Sequence, residues 1–285
     1  MKRLALVVFW ILTAAVLASA QTTGYFPQIA DGVQGGGITW KTTIYVTNPA
    51  PSGTSPAAVN ITFTASTGAP FNISFVDSTG TPAGTGSLSF TISGGQTQKF
   101  VSTGAGALSI GFATLSANST VVGNAVFSEF GAGGLISEAS VSASGANTSQ
   151  AIFVDTQSGF DTGVAYANPN SGPVSIGLEL LNTQGVRVVP STQQTLAGNQ
   201  QTAAFVKGGL FPTSPALAGS MRISSSAPIA VVALRFSASG LFTTLPPVTL
   251  ADLIAPVAHW LEQRPWMNPL TAFARLLGGL QFRIG

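Results

Sequence analysis

Apolar residues fall at every second position in a series of short runs: Ile44 and Val46; Val59, Ile61 and Phe63; Phe71, Ile73 and Phe75; Leu88, Phe90 and Ile92; Leu108, Ile110 and Phe112. Successive side chains of a β-strand point to opposite faces, so this period buries one face and leaves the other in water. Turn residues divide the runs at Asp77-Ser78-Thr79-Gly80, Gly94-Gly95 and Ala117-Asn118. Thr and Ser fill most alternate positions, as suits a sheet with one wet face. Beyond residue 38 the pattern predicts an all-β chain of meander or Greek-key type, with no helical period before the last residues.

The chain also repeats itself. TTIYVTNP (42–49) and TGVAYANP (162–169) each alternate and then stop at Asn-Pro. Proline cannot donate into a ladder and biases the preceding residue away from the helical region, so Asn48-Pro49 and Asn168-Pro169 are read as strand ends. VSIGLELLNTQG (174–185) reads as the counterpart of NISFVDSTG (72–80), and QTLAGNQQTAAFV (194–206) of FTISGGQTQKFV (90–101). The segment 217–240 then answers 108–131, with extra residues of the first copy placed between Pro49 and Phe71. Two homologous domains are expected, 22–145 and 148–250. At roughly 100 residues each they fit tandem immunoglobulin-like β-sandwiches.

MKRLALVVFWILTAAVLASA (1–20) joins Lys2 and Arg3 to an apolar run and an Ala18-Ser19-Ala20 cleavage site, the form of a secretory signal peptide. The run Leu4–Leu17 is shorter than the about 20 residues a spanning helix needs, so no transmembrane segment is expected in the mature chain. The expected location is extracellular, at the cell surface or periplasmic. With no cysteine in 285 residues, a disulfide scaffold is excluded and stability must come from burial.

The sequence pI near 9.2 misleads about the body of the protein. Residues 21–255 hold six basic and eight acidic side chains, so no Lys/Arg stripe exists to neutralise phosphates and nucleic acid is not an expected partner. The segment 256–285 differs sharply, with Trp260, Trp266, the lone His259 and three arginines. Leu270, Phe273, Leu277 and Leu280 have helical spacing there, interrupted by Gly278-Gly279. It reads as a disordered or misplaced gene end, or as an amphipathic helix touching a membrane surface.

Chemistry-bearing residues are scarce. A Ser-His-acid arrangement or a zinc site would need more than His259. In FSEFGAGGLISEAS (127–140), a hairpin centred on Ala132-Gly133 would oppose Glu129 with Ile136 and make Glu138 its same-face diagonal neighbour, about 7–8 Å away. That overlaps the separation of inverting glycosidase carboxylates, about 6.5–9.5 Å. Asp31 and Asp155 fall in corresponding entry segments and Asp77 and Asp161 in turns, without the ligand spacing of a calcium loop. Trp40 and Tyr45 are the aromatic candidates for ligand contact, although Ile38, Thr42 and Ile44 share the face of Trp40 and point to core packing. Four Asn-x-Ser/Thr triplets, at Asn60, Asn72, Asn118 and Asn147, follow from composition. No cofactor and no metal is expected.

The order YFPQIADG (25–32), TWKTTIYVTNP (39–49), FVDSTGTP (75–82) and GNAVF (123–127) resembles a repeat of uncharacterised secreted bacterial proteins. The second copy has FVDTQSG (153–159) in place of FPQIADG and lacks the tryptophan. The resemblance implies surface or extracellular modules of unassigned activity and brings no catalytic residues to carry over. The expectation is a non-enzymatic extracellular or cell-surface module with a structural, adhesive or protein-binding role. A carbohydrate-binding module using Trp40 and Tyr45, or a hydrolase using Glu129 and Glu138, are the alternatives, so the partner is another protein or an extracellular polysaccharide.

Overall fold

Alternation becomes strand wherever it is uninterrupted. In the computed structural model, which describes residues 22–250, β1 (Thr22–Gln34), β2 (Ile38–Thr47), β3 (Ala57–Ala65), β4 (Ser74–Asp77) and β5 (Pro82–Thr85) open the chain. They are followed by β6 (Ser87–Ile92), β7 (Thr97–Ser102), β8 (Ser109–Ala117), β9 (Val122–Gly131) and β10 (Gly134–Ser142). Then come β11 (Asn147–Asp155), β12 (Asp161–Ala167), β13 (Val174–Asn182), β14 (Thr192–Leu196), β15 (Gln201–Phe205), β16 (Ala218–Phe236), β17 (Phe242–Leu245) and the short β18 (Val248–Thr249). β3 shows the cause: Ala57, Val59, Ile61 and Phe63 are buried while the residues between them are more exposed. The signal-peptide and C-terminal-tail expectations fall on residues outside those described. Among the described residues no helix is long and apolar enough to cross a membrane.

The expected all-β class holds, as two antiparallel sheets of ten and eight strands. Each sheet folds over on itself into a sandwich. β1 pairs with β8 through Asp31 and then with β2 from Gly32 to Gln34, so it passes from one layer to the other. One layer runs β1-β8-β3-β6 and the facing layer β5-β4-β7-β2-β9-β10. Phe26, Ile44, Ile61, Phe75, Leu115 and Phe127 meet between them.

β11–β17 repeat this pairing with fewer strands. β11 takes the place of β1, β12 of β2, β13 of β3, β14 of β6, β15 of β7 and β17 of β10. The long β16 does the work of both β8 and β9: Ala218–Ser225 pair with β11 and β13, and Ala230–Phe236 with β12. The β4–β5 hairpin has no counterpart. Consequently VSIGLELLNTQG, which forms β13 and its turn, answers β3 and the following Ser66–Gly68, not NISFVDSTG at 72–80. Much of the first copy's extra chain lies after β3, as that hairpin, and not only ahead of Phe71. Phe71 and Ile73 are buried as expected but lie outside a strand, which begins at Ser74.

Corresponding polar residues hold both repeats. Thr42 donates its hydroxyl to Ala30 O at 2.8 Å and receives Ala30 N–H at 3.3 Å; Thr162 does the same to Asp155, at 3.2 and 2.9 Å. Asn48 and Asn168 are likewise buried, so the Asn-Pro phrase does more than end a strand. Asn48 Nδ2 donates to Ile92 O and Asn168 Nδ2 to Leu196 O, tying each strand end to a strand later in its repeat. Hydrogen bonding of this kind is what permits a polar side chain in an apolar core.

Candidate functional site

Comparing the repeats position by position locates the most unusual surface. The outward residues Thr43, Tyr45, Lys99 and Asn124 of the first repeat correspond, through the pairing of β2 with β7 and β9, to Gly163, Ala165, Ala203 and Val232 of the second. A polar sheet face has become small and apolar. The reason is cover: Ala165 and Val232 are buried and belong to the core cluster of the first repeat. The second repeat presents this face and the first repeat sits on it.

The grip comes from several elements. Gln201 N–H donates to Ser66 O at 3.2 Å, Gln200 Nε2 to Thr67 O at 3.3 Å, and Gln201 Nε2 to Gln28 Oε1. At the other margin Phe242 N–H donates to Ser137 Oγ at 3.0 Å and Thr244 Oγ1 to Ser140 O at 2.6 Å. Phe112, at 2% exposed, is buried outside both core clusters, and its strand β8 is one that β15 approaches. Among the described residues, 22–248 accordingly form one compact unit.

Aromatic rings line the seam. Trp40 stacks on Phe242 with centroids 5.6 Å apart, Phe242 meets Phe236 at 5.3 Å, and Phe236 meets Phe205 edge-on at 5.1 Å. Gly163 makes this possible, since a Cβ there would lie 3.0 Å from the Phe236 ring. Beside the rings is a cavity of about 190 Å³, bounded by Gln28, Trp40, Phe127, Phe205 and Phe236 and by small residues of β12 and β15. Phe205 is 43% exposed, so this wall reaches solvent.

The residues singled out from sequence divide between two faces. Trp40 and Glu129 are cross-strand partners, and Ser137 pairs with Glu129 from the other side. Trp40 is only half-buried: its face is the inward one, as Thr42 and Ile44 show, but it lies beyond its own core and packs on the second repeat. Its indole N–H donates to Gln34 Oε1 at 2.9 Å. Burial pushes the Glu129 carboxyl above its ordinary value.

Glu138 pairs with Ser128, on the opposite face, and accepts the Ser128 hydroxyl at 3.1 Å. The expected opposition of Glu129 to Ile136 is therefore corrected. A bulge between Leu135 and Ser137 makes Ile136 an extra residue and moves the register by one. One residue is enough to send two carboxylates to different faces. Tyr45 also lies on the outer face, opposite Lys99 and Asn124, with Lys99 Nζ 5.9 Å from its ring centre. Trp40 and Tyr45 do not form one platform.

The remaining carboxylates hold local structure. Asp31 is buried and accepts Gly104 N–H at 2.8 Å; burial raises its pKa against the opposing effects of Ser102, Gly104 and Lys41. Asp155 corresponds to Ala30, not to Asp31, as the shared Thr42 and Thr162 contacts establish. Arg235 binds it through Nε at 2.8 Å and Nη2 at 2.7 Å while lying 3.3 Å over the Phe160 ring. Asp77 caps its turn, and the Thr79 hydroxyl and amide with the Thr81 amide hold its carboxyl below the usual range. Among the described residues no three His, Cys, Asp or Glu side chains gather to hold a metal ion.

Gln28, Phe205, Phe236 and Phe242 were not singled out from the sequence. The usable signal was Ala165, Ala203 and Val232 at outward positions that hold Tyr, Lys and Asn in the other copy.

No protein-family model matches the chain, and no curated protein matches it significantly. Among solved structures it has a likeness to the apo form of a Pleurotus ostreatus lectin, at 10% identity over 76% of this chain and 79% of the lectin, with a TM-score of 0.16. A beta-glucuronidase from glycoside hydrolase family 2 is similar at 8% identity over 82% of this chain and 25% of its own, with a TM-score of 0.17. A calcium-binding mutant of Bacteroides uniformis beta-glucuronidase 2 gives 9%, 80%, 26% and 0.17 for the same quantities. The chain spans about a quarter of these glucuronidases, and at such TM-scores none of the likenesses defines a shared fold.

Proposed function

We propose that this protein is a non-enzymatic, exported module with a structural or protein-binding role, in which the sandwich recognises another β-sheet surface. The observation that supports this reading is the seam itself. The first repeat covers the outer sheet of the second, and residues on that sheet differ between repeats where cover requires it. Recognition of protein by protein is thus already built into the fold, through apolar side chains ringed by backbone hydrogen bonds. The use of single carboxylates as turn caps and backbone acceptors agrees with it, as does the separation of Glu129 from Glu138.

The carbohydrate reading is less well supported. Sugar recognition needs an aromatic face with several hydrogen-bonding groups around it, and the pocket beside Trp40 is lined by apolar side chains apart from Gln28, while Tyr45 lies on the other face.

The purified full chain, fluorescently labelled, can be mixed with envelopes of the producing cells and with insoluble polysaccharides. Retention that protease treatment of the envelopes removes is the predicted result. Retention on polysaccharide that is lost in Trp40→Ala would replace the reading with carbohydrate binding. Turnover of glycosides that is lost in Glu129→Gln would replace it with hydrolysis.

A further inference from the structure

The seam cavity has a chemical character of its own. It is a pocket of about 190 Å³ that opens to solvent beside Phe205, in a fold whose interiors ordinarily leave few voids larger than a water molecule. An apolar cavity of about 150 Å³ in a protein core stays dry and accepts benzene, so a single six-membered ring has room here. Its floor is made of Gly163, Ala165, Ala203 and Ala204, and its walls include the rings of Trp40, Phe127, Phe205 and Phe236. Rings so placed favour edge or offset contact with another aromatic ring. Solvent-exposed Phe205 marks the way in.

Polarity narrows the ligand. No charged side chain lines the cavity, so an ion would lose its hydration without a counter-charge. The Trp40 indole N–H is committed to Gln34 and Gln28 Oε1 already accepts from Gln201 Nε2, which leaves Gln28 Nε2 as the side-chain donor on the wall. One polar substituent can be met there; the several hydroxyls of a sugar cannot, and unpaired buried polar groups are costly. We propose that the seam cavity binds a small uncharged molecule with one aromatic ring and at most one hydroxyl, of the phenol class. This goes beyond the protein-binding reading and does not rest on it.

Titration of the full chain with 4-fluorophenol and fluorobenzene, followed by ¹⁹F NMR, tests it. Saturable binding of both is expected, with glucose and benzoate failing to compete. Ala203→Leu projects into the space and should weaken both probes at least tenfold while leaving the circular dichroism spectrum unchanged. If that variant does not fold, Gln28→Leu supplies a readout insensitive to the folded fraction: the affinity ratio of 4-fluorophenol to fluorobenzene should fall about fivefold or more. Absence of saturable binding to the unaltered protein overturns the proposal, as does equal binding by a folded Ala203→Leu variant. An unchanged ratio in Gln28→Leu overturns the assigned role of the amide.

Discussion

Asn48 and Asn168 stand at corresponding points of the two repeats, 1% and 0% exposed, each with its amide group spanning two backbone segments. Asn48 Oδ1 receives Ala50 N–H at 3.0 Å and its Nδ2 reaches Ile92 O at 3.0 Å. Asn168 Oδ1 receives Asn170 N–H at 3.0 Å, and its Nδ2 is within reach of Gly172 O, Leu196 O and Ala197 O. Replacing either with Ala strands buried backbone groups, at about 1–3 kcal/mol for each group left unpaired. Asn168→Ala should lower the midpoint of denaturant unfolding more than Asn48→Ala, because it loses more contacts. Equal and negligible effects would show that water takes over these bonds.

Gly94 and Gly198 also correspond, and neither has a left-handed backbone. Both are glycine because of space: an added Cβ would lie 2.1 Å from Pro51 O in one case and 2.1 Å from Ser171 O in the other. Alanine at either position should destabilise by about 1–3 kcal/mol, the usual cost of overpacking. Gly145→Ala, where a Cβ meets nothing within 4 Å, is the control and should be near neutral in thermal melts.

Asp31 should give an inverse pH dependence. Its folded-state pKa is raised above 3.8 by burial, so in the window just above 3.8 the folded state holds more protons than the unfolded state. Its contribution to stability is therefore fully present below 3.8 and is lost as pH rises through the folded value. Asn retains an acceptor for Gly104 N–H, so Asp31→Asn should be neutral or stabilising at pH 7 and should flatten that part of the stability–pH curve. A variant less stable than the parent at pH 7, with the same slope, would contradict this.

Trp40→Ala should loosen the seam. The ring is half-buried and stacked on Phe242, so the expected loss is about 2 kcal/mol, below the 3–5 kcal/mol typical of a fully buried aromatic. Tyr45→Ala, on the outer face beside Lys99, should change stability by no more than about 0.5 kcal/mol. Paired urea titrations of the two variants check the contrast.

Much of the fold could be read from residue alternation. Val59, Ile61 and Phe63 define an inward face without help, and Asn-Pro ends a strand in both copies. Other features were hidden for identifiable reasons. The Ile136 bulge leaves no mark in the alternation of its strand, yet it separates Glu129 from Glu138. The β4–β5 hairpin alternates like any other segment, so nothing in its composition marks it as an insertion, and the sequence of β13 resembles it although the structural counterpart of β13 is β3. Trp40 shows the wider limit. Periodicity assigns a side chain to a face but cannot say whether its own core or a neighbouring repeat will cover it. Ile110 and Phe112 illustrate this too: the inward residues of β8 are Ala113, Leu115 and Ala117, and Phe112 is buried by other means.

The central claim is that the first repeat recognises the outer sheet of the second, making the pair one cooperative unit. Differential scanning calorimetry of the full chain and of an Ala165→Tyr, Val232→Asn double variant tests it most directly. These changes install on the second repeat the residues that the first carries at the same positions, where water covers them. The unaltered chain should unfold in a single transition, and the double variant in two, the first at lower temperature. Two independent transitions in the unaltered chain, or one transition at an unchanged temperature in the double variant, would contradict the claim.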